Sequence, residues 1–205
     1  YMRYQQWVGV TCTDPVAKGY LDRVAVHNYA NDGVTHDSPG AQTWSRMGDF
    51  AKEYGKTIWM TESGIDNNWP GAFDGVRGVY LGLRFGNVSG WSWWYMCGNM
   101  FSNGGTTPSK SFYCYKQFAR YVRPGACRVE TTVDNDNLGV VAFHHPGNDC
   151  HTIVVLNDGA SAVTCDVTGA GLPAEMEIHR TSSAENCVDL GTTALSAVQF
   201  PAKSI

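Results

Sequence analysis

The sequence has neither a long apolar run nor a cluster of basic side chains, and both absences narrow the range of functions. No apolar segment reaches the roughly 18 residues that a membrane-spanning helix needs, so we expect no membrane partner. The 15 Lys and Arg are scattered among 19 Asp and Glu, which gives a net charge of -4 and argues against binding to nucleic acid. The expected partner is therefore a neutral or small molecule.

Metal and redox signatures are missing too. The seven cysteines include no C-x-x-C pair, and their odd number leaves at least one thiol unpaired. His144, His145 and His151 lack an accompanying set of carboxylates or thiolates, so a solvated strand edge explains them better than a metal centre. The segment 134–137 opens like a calcium loop but lacks the required glycine and the distant glutamate. We therefore predict neither a metal nor another cofactor.

Aromatic side chains, in contrast, are plentiful. They make up 12% of the chain, with seven Trp and ten Tyr, and several fall near the ends of predicted strands. Sugar rings present apolar C–H faces that stack on such side chains, so this composition favours a carbohydrate partner. A hydrophobic content of 43% over 205 residues is enough for one large or two small domains with a core.

One carboxylate stands out by its position in the chain. Residues 57–60 are β-branched, aromatic or apolar, which is typical of a buried strand, and they lead directly to Glu62 and the glycine at Gly64. In α/β folds, ligands bind at the C-terminal ends of parallel strands. Glu62 is therefore a candidate catalytic residue, the alternative being an ordinary exposed glutamate at a strand end.

The order of predicted elements divides the chain in two. Residues 1–125 alternate strands and helices with connections long enough for parallel crossovers, and residues 126–205 show short alternating runs separated by turn signals, which is typical of an antiparallel β-sandwich. We assign no element to residues 1–12. The predicted elements that follow are a helix from Asp14, strands over 23–29, 57–62 and 88–96, helices over 43–54, 71–85 and 109–121, and sandwich strands over 128–132, 138–144, 152–157, 162–167, 176–180 and 197–200.

Four segments carry a resemblance to a known family, glycoside hydrolase family 30, whose members are retaining β-glycosidases. The segments are Arg23-Val-Ala-Val-His-Asn-Tyr29, Ile58-Trp-Met-Thr-Glu-Ser63, Gly90-Trp-Ser-Trp-Trp-Tyr95 and Gln117-Phe-Ala-Arg-Tyr-Val-Arg-Pro-Gly125. The resemblance implies an α/β plus β fold. About the last three strand-helix units of a (β/α) TIM barrel, residues 1–125, would pack on a side β-sandwich, residues 126–205.

The resemblance also implies roles for individual residues. Glu62 falls on the position of the family's nucleophile, and His27 and Tyr29 fall on positions that line the reacting sugar's subsite. Trp93 falls on the aromatic platform, with Trp91 beside it. Because side chains alternate along a strand, Trp91 and Trp93 should share one face, and Trp94 should lie on the other.

Other interpretations of these side chains stay open. Packing within the fold is as good an explanation as sugar contact for Trp91 and Trp94, and a hydrogen-bonded core position is as good for His27. Trp69, in the loop predicted after the Glu62 strand, is a further candidate for substrate binding.

The second carboxyl of a retaining glycosidase is not evident. That mechanism needs a general acid/base held roughly 5 Å from the nucleophile, and in the family it lies in an Asn-Glu-Pro motif that this chain lacks. Asp32, Asp66 and Asp74 are candidates at the same predicted rim, although each is otherwise an ordinary loop aspartate. A sheet of three parallel strands also exposes unpaired edges, so we expect a homodimer or association with a missing N-terminal half.

The leading hypothesis is a secreted retaining β-glycoside hydrolase that acts on a polysaccharide or oligosaccharide, with xylan or a β-xyloside as the favoured substrate. Glucuronate recognition is not predicted, because Met96-Cys97-Gly98-Asn99 stands where some family xylanases have basic side chains. The alternatives are a non-catalytic carbohydrate-binding remnant and the C-terminal fragment of a longer or split glycosidase.

Overall fold

A computed structural model describes residues 3–27, 29, 40–64 and 68–205. The helices in these ranges are α1 (Arg3–Thr13), α2 (Ala17–Tyr20), α3 (Gly40–Glu53), α4 (Trp69–Arg84) and α5 (Lys110–Ala119). The strands are β1 (Arg23–His27), β2 (Thr57–Glu62), β3 (Val88–Trp91), β4 (Phe101–Ser102), β5 (Thr107–Pro108), β6 (Cys127–Val129), β7 (Leu138–His145), β8 (Cys150–Asn157), β9 (Val163–Cys165), β10 (Glu175–Arg180), β11 (Val188–Ala194) and β12 (Val198–Phe200). None of the described helices has the length and apolar character needed to cross a bilayer.

The first three strands form a parallel sheet in the order β1-β2-β3. Their residues alternate between buried and exposed, so Val24, Val26, Ile58 and Met60 pack under the helices while Trp59 lies on the opposite, open face. α3 covers the buried face with Trp44, Met47 and Phe50, which share one core cluster with the strands. The interpretation of this sheet as part of a TIM barrel stays a prediction.

α4 joins this layer to the rest of the molecule. It begins after Asn68, whose side chain accepts a hydrogen bond from the backbone N–H of Gly71 (3.1 Å), and Pro70 occupies the first turn, where its missing N–H costs nothing. Its buried side chains enter a second core cluster with α5, β7 and β8. The larger members of this cluster are Phe73, Val76, Val79, Phe118, Val141, Phe143, Val154, Leu156 and Ile205.

The strands from residue 127 onward pair in the antiparallel fashion predicted for them. They form the sheet β6-β7-β8, the hairpin β10-β11 and the pair β9-β12. Buried Asn157 binds the last of these segments to β8, because its side-chain amide donates to the carbonyls of Ser161 and Phe200, both at 2.9 Å. The division into domains at residue 125 stays a prediction.

Several predicted elements differ from the structure. The first twelve residues, which we left unassigned, belong largely to α1, and the hairpins β4-β5 and β10-β11 contain strands that we did not predict. The helix predicted from Asp14 begins at Ala17, although the Asp14 carboxylate accepts the Ala17 N–H (2.7 Å) as a cap would. The strand predicted over 88–96 ends at Trp91.

Candidate active site

The candidate site lies where the parallel strands β1 and β2 end together. His27 and Glu62 are paired in register as the last residues of these strands. The imidazole Nε2 lies 3.7 Å from Glu62 Oε2, and the two side chains are 45% and 21% exposed, respectively. Glu62 is therefore a partly shielded carboxylate beside an imidazole, at the edge of the sheet where ligands bind in α/β folds.

The turn after Glu62 brings two aromatic side chains close to it. A Cβ added to Gly64 would lie 3.7 Å from the Tyr29 hydroxyl and 3.7 Å from Trp94 Cβ. Tyr29 also meets the His27 ring edge to face, with centroids 6.1 Å apart. Tyr29 and Trp94 therefore both lie within van der Waals reach of the turn that follows β2.

Hydrogen bonds hold the segment after β3 against the end of β2. The backbone N–H of Ser92 donates to Met60 O (2.8 Å), and that of Trp94 donates to Ser63 O (2.7 Å). The indole N–H of Trp91 donates to Ser63 Oγ (3.1 Å), and Ser63 is buried. Since Ser63 is bound from two directions, the backbone next to Glu62 is fixed, while the Glu62 side chain lies beside His27.

An exposed aromatic strip follows directly. Trp94, Tyr95 and Met96 are 62%, 53% and 60% exposed, although apolar side chains of this size are usually covered. Because Trp94 is hydrogen-bonded to Ser63 through its backbone, this strip begins next to Glu62. Trp94 and Tyr95 offer flat apolar ring surfaces of the kind on which sugar rings stack.

The strand predicted to carry all three tryptophans ends at Trp91, so strict alternation does not extend to Trp93 and Trp94. The Trp91 ring packs 6.0 Å from that of Trp44 in the helix layer, whereas the Trp93 ring lies 5.8 Å from that of Tyr115 on α5. The buried Trp93 Nε1 has no hydrogen-bond acceptor among the described residues. Both side chains thus contact helices, and the exposed neighbour of Glu62 is Trp94.

Tyr115 supports this packing as a neutral phenol. Burial raises its pKa, and its hydroxyl donates to the carbonyl of Trp91 (3.1 Å), the last residue of β3. α5 thereby fixes the point at which the chain leaves the sheet for the aromatic strip.

Trp69 is not among the residues that the structure brings together with Glu62. It opens α4, where its ring lies 5.4 Å from Phe73 and beneath the Lys110 ammonium (5.7 Å), so its recorded contacts are packing contacts with α4 and α5. Partial burial lowers the pKa of Lys110, and its ammonium group also donates to carbonyls of the 182–186 turn.

The candidate acids lie elsewhere or outside the description. Asp74 lies within α4, inside the helix predicted over 71–85, where Arg77 binds it (3.4 Å) and also binds Asp158 of the β8-β9 turn (2.5 Å). Its carboxylate is therefore directed toward the sandwich contact rather than toward the strand ends. Asp32 and Asp66 fall outside the described residues.

Sequence reasoning located Glu62, His27 and Tyr29 but missed the structural part that Ser63, Gly64 and Trp94 play around them. The signal available was the Ser-Gly pair that follows the glutamate, since a small residue at a strand end permits close approach of other side chains. For metal binding, the described residues offer a grouping of suitable donors only on β10 and β11, well separated in sequence from this site.

Known proteins with similar sequences are glycoside hydrolases. Residues 125–205 match the family model described as the glycosyl hydrolase family 30 beta sandwich domain. Glucuronoxylanase XynC from Bacillus subtilis (strain 168) is 28% identical over 160 residues, which are 73% of this chain and 35% of that protein. A second glucuronoxylanase XynC from Bacillus subtilis is 29% identical over 184 residues, 84% of this chain and 41% of that protein.

Solved structures share the fold over nearly the whole chain. A GH30 endoxylanase from Clostridium papyrosolvens C71 has a TM-score of 0.78 at 24% identity, covering 95% of this chain and 50% of that one. The catalytic domain of GH30 xylanase C from Talaromyces cellulolyticus has a TM-score of 0.72 at 19% identity, covering 97% and 47%. The chain thus spans half or less of the length of each of these relatives. The resemblance predicted from the four sequence segments is confirmed, since residues 125–205 match the β-sandwich domain of glycoside hydrolase family 30 and the rest of the chain shares the fold of its solved members.

Proposed function

We propose that this chain carries the nucleophile half of a retaining β-glycosidase active site, with Glu62 as the nucleophile. The observation that supports this most is the placement of a partly shielded carboxylate beside His27, at the C-terminal edge of a parallel sheet and next to an exposed aromatic strip. A sugar ligand explains why aromatic side chains are exposed beside a carboxylate, because a sugar ring presents an apolar face for stacking and an anomeric carbon for attack by the carboxylate.

In this mechanism a carboxylate oxygen of Glu62 attacks the anomeric carbon, and the bond to the leaving-group oxygen breaks as a general acid protonates that oxygen. Water then attacks the same carbon and releases Glu62, with the acid residue now acting as base. His27 and Tyr29 would bind hydroxyl groups of the sugar in this subsite, and the Trp94 ring would stack on the adjacent sugar.

We propose that the general acid/base comes from outside the described residues. Asp74, the described candidate, is bound by Arg77 on the sandwich side of α4. Asp32 and Asp66 remain candidates, and so does a residue supplied by a longer polypeptide or a second copy, since the relatives are at least twice as long as the part that this chain matches.

Xylan or a β-xyloside is the proposed substrate. The curated relatives are glucuronoxylanases by name, and two of the structural relatives are xylanases. We also propose secretion, because a polysaccharide of this kind is met outside the cell.

Hydrolysis of an aryl β-xyloside tests the proposal. It is measured with this chain alone and with a longer polypeptide that contains it. Glu62→Gln keeps the size and removes the nucleophilic charge, and we expect at least a thousandfold loss of kcat/KM, about 4 kcal/mol of transition-state stabilisation. Glu53→Gln, an exposed glutamate near the end of α3, is the matched control and should leave activity unchanged. Labelling of a residue other than Glu62 by a 2-fluoroxyloside would overturn the assignment.

A non-catalytic carbohydrate-binding protein is the second candidate function. The observation that favours it is the ion pair between Asp74 and Arg77, which binds the one candidate acid that the described residues contain. Hydrolysis needs a second carboxyl group beside Glu62, and Asp74 does not supply it. Xylo-oligosaccharide binding that Trp94→Ala weakens, with no turnover under any condition, would support this function. Turnover that depends on Glu62 would exclude it.

We further propose that the open face of the β1-β2-β3 sheet is covered by association, either with a second copy or with strands of a longer polypeptide. Trp59 is 43% exposed on this face, and β1 and β3 are the outer strands of the described sheet, so their edges favour the pairing of further strands that would extend the sheet around this face. Size-exclusion chromatography with light scattering checks this, and a fully soluble monomer at high concentration would contradict it.

A further inference from the structure

A group of potential metal ligands lies on the β10-β11 hairpin, more than a hundred residues after Glu62 in the sequence. Glu177 and His179 on β10 and Asp189 on β11 each present one ligand atom, and these atoms all lie within 4.8 Å of one another. Neither the sequence motifs nor the proposed glycosidase site makes any use of these residues.

Strand pairing explains why the three side chains converge. Glu177 and His179 are two residues apart on β10, so they lie on the same face of the hairpin, and Asp189 is the register partner of His179. The pairing shifts between Glu177 and His179, and Gly191 supplies the left-handed conformation (φ 74°) at this irregularity. The Gly191 N–H donates to Asp189 Oδ1 (2.8 Å), which orients the carboxylate and leaves its other oxygen as a ligand.

The imidazole is held in position before any ion binds. The His179 ring stacks on Tyr121 with centroids 4.8 Å apart and an interplanar angle of 22°. Its side chain is only 16% exposed, whereas that of Glu177 is 64% exposed. His179 Nε2 is hydrogen-bonded to Glu177 Oε1 (2.5 Å), so the nitrogen is directed into the group of oxygens, and an ion that binds there would separate the two atoms and replace this contact.

The other histidine-rich region makes an instructive contrast. His144 and His151 are cross-strand partners on β7 and β8, but their rings stack face to face, with centroids 4.8 Å apart. Among the described residues, the donor atoms of this region do not come together as a group of three. In the ranges that the structure describes, convergent donors of this kind occur only on the β10-β11 hairpin.

We infer that Glu177, His179 and Asp189 form a binding site for a divalent transition-metal ion, with Zn²⁺ as the best fit. One imidazole nitrogen and two carboxylate oxygens suit Zn²⁺, which takes mixed nitrogen and oxygen ligands at four-coordinate sites, and a water molecule would complete the coordination. Ca²⁺ prefers six to eight oxygen ligands and is disfavoured here by the imidazole. This proposal departs from the expectation, made from the sequence, that the chain binds no metal.

Isothermal titration of the full chain with Zn²⁺ tests the site. Exposed cysteines also bind zinc, so the thiols of every variant are first alkylated under native conditions. We expect one equivalent to bind, with affinity reduced at least tenfold in His179→Gln and in Asp189→Asn. The asparagine can still accept the Gly191 N–H, so this second variant keeps the turn.

His144→Gln is the matched control, because it removes a partly exposed histidine that also has a carboxylate neighbour, Asp149 (3.3 Å). It should bind Zn²⁺ as the parent chain does, and Ca²⁺ in excess should not displace the ion. Equal loss of binding in His144→Gln and His179→Gln, displacement by Ca²⁺, or no binding at one equivalent would each overturn the proposal.

A thermal measurement separates binding at the site from general effects on folding. Zn²⁺ should raise the Tm of the parent chain and of His144→Gln, because a ligand that binds only the folded state stabilises it. It should leave the Tm of Glu177→Gln and Asp189→Asn nearly unchanged, although both variants should fold as the parent does without metal. Equal shifts in all variants would contradict a site on this hairpin.

Discussion

The two sheets at the centre of this molecule are covered differently. In the parallel sheet, buried and exposed residues alternate along β1 and β2, so that helices cover one face and leave the other open. In the sandwich, β7 buries Val141, Ala142 and Phe143 in succession, so both faces are covered at its centre. The parallel sheet, which carries Glu62 at its edge, is thus the less complete of the two.

This difference shows where stability and chemistry reside. Tyr80 on α4 and Trp91 on β3 pack against both core clusters, so the helix layer joins the two sheets into one hydrophobic structure. The open face of the parallel sheet contributes little to that structure. The strand ends above it are therefore free to carry exposed aromatic and titratable side chains.

Two tryptophans on opposite sides of the parallel sheet should differ most in their contribution to stability. Trp44 is fully buried beneath the sheet, so Trp44→Ala should lower the free energy of unfolding by about 3–5 kcal/mol. Chemical denaturation followed by circular dichroism measures this loss. A loss below about 1 kcal/mol would mean that the helix-covered face is not a true core.

Trp44→Phe is the control for this experiment. The Trp44 indole N–H is buried without an acceptor in the part of the chain that the structure describes. The smaller ring removes that unpaired donor, so the phenylalanine should cost much less than the alanine.

A glycine between the two cores gives the next largest effect. A Cβ on Gly82 would lie 2.6 Å from Trp91 Cζ3, and the Trp91 ring cannot easily move because its indole N–H is bound to Ser63. Gly82→Ala should therefore destabilise the fold by about 1–3 kcal/mol, although alanine is the better helix former. Because Ser63 adjoins Glu62, the same variant should also reduce activity or sugar binding.

Gly19→Ala is the matched helical control. A Cβ at Gly19 in α2 meets no atom within 4 Å, so this substitution should be neutral or stabilise by up to about 1 kcal/mol. Equal effects at the two glycines would show that helix propensity outweighs packing here, and that α4 does not join the cores tightly.

The sequence predicted well those elements that have one buried face. The stripe of Trp44, Met47 and Phe50 predicted α3, and the apolar run before Glu62 predicted β2, because burial on one side imposes a period on the sequence. α1 and β11 were missed for the converse reason. Trp7 and Val10 on α1 are exposed, and nearly every residue of β11 is exposed, so packing imposes no period there.

The site was predicted only in part, because strand ends depend on their partners. Glu62 and His27 could be located from their own strands, and the structure pairs them. The aromatic run from Trp91 to Met96 suggests a continuous strand, but the regular ladder with β2 ends at the pair Met60 and Trp91, and Ser92 and Trp94 follow it with single backbone hydrogen bonds. Which tryptophan lies beside the glutamate therefore follows from the tertiary structure and not from alternation in the sequence.

The sandwich contains an ion pair that should make its stability depend on pH. Arg180 donates to both carboxylate oxygens of Glu185, at 2.8 and 2.5 Å, and this bonding lowers the pKa of the Glu185 carboxyl. A lowered pKa in the folded state means that the stabilisation is present above the ordinary value of 4.5 and is lost as the pH falls through the folded value. Glu185→Gln should cost about 1 kcal/mol at neutral pH, after allowance for solvent screening.

Urea denaturation at neutral and acidic pH tests this pair, since the difference between parent and Glu185→Gln should shrink as the pH falls below 4.5. Asp189→Asn on the neighbouring strand, without added metal, is a control for general charge effects. A difference that stays constant with pH would indicate that Glu185 acts through packing rather than through its charge.

The smallest effect is expected on the open face of the parallel sheet, and it tests the comparison most sharply. The Arg23 guanidinium lies 4.6 Å from the centroid of the Trp59 ring, which is 43% exposed. Trp59→Ala should therefore cost about 0.5–1 kcal/mol, the range of an exposed cation–π contact, although the same substitution at Trp44 removes a side chain of equal size. Arg23→Gln should cost a similar amount, and the double variant should cost less than the sum because both remove one interaction. The measurement is a double-mutant cycle by denaturation at a low protein concentration, repeated at a high one. If the cost at Trp59 rises toward the cost at Trp44 only at high protein concentration, association covers this face. If the cost at Trp59 is as large as the cost at Trp44 even at low concentration, the face is already packed within one chain, and the comparison between the two tryptophans is wrong.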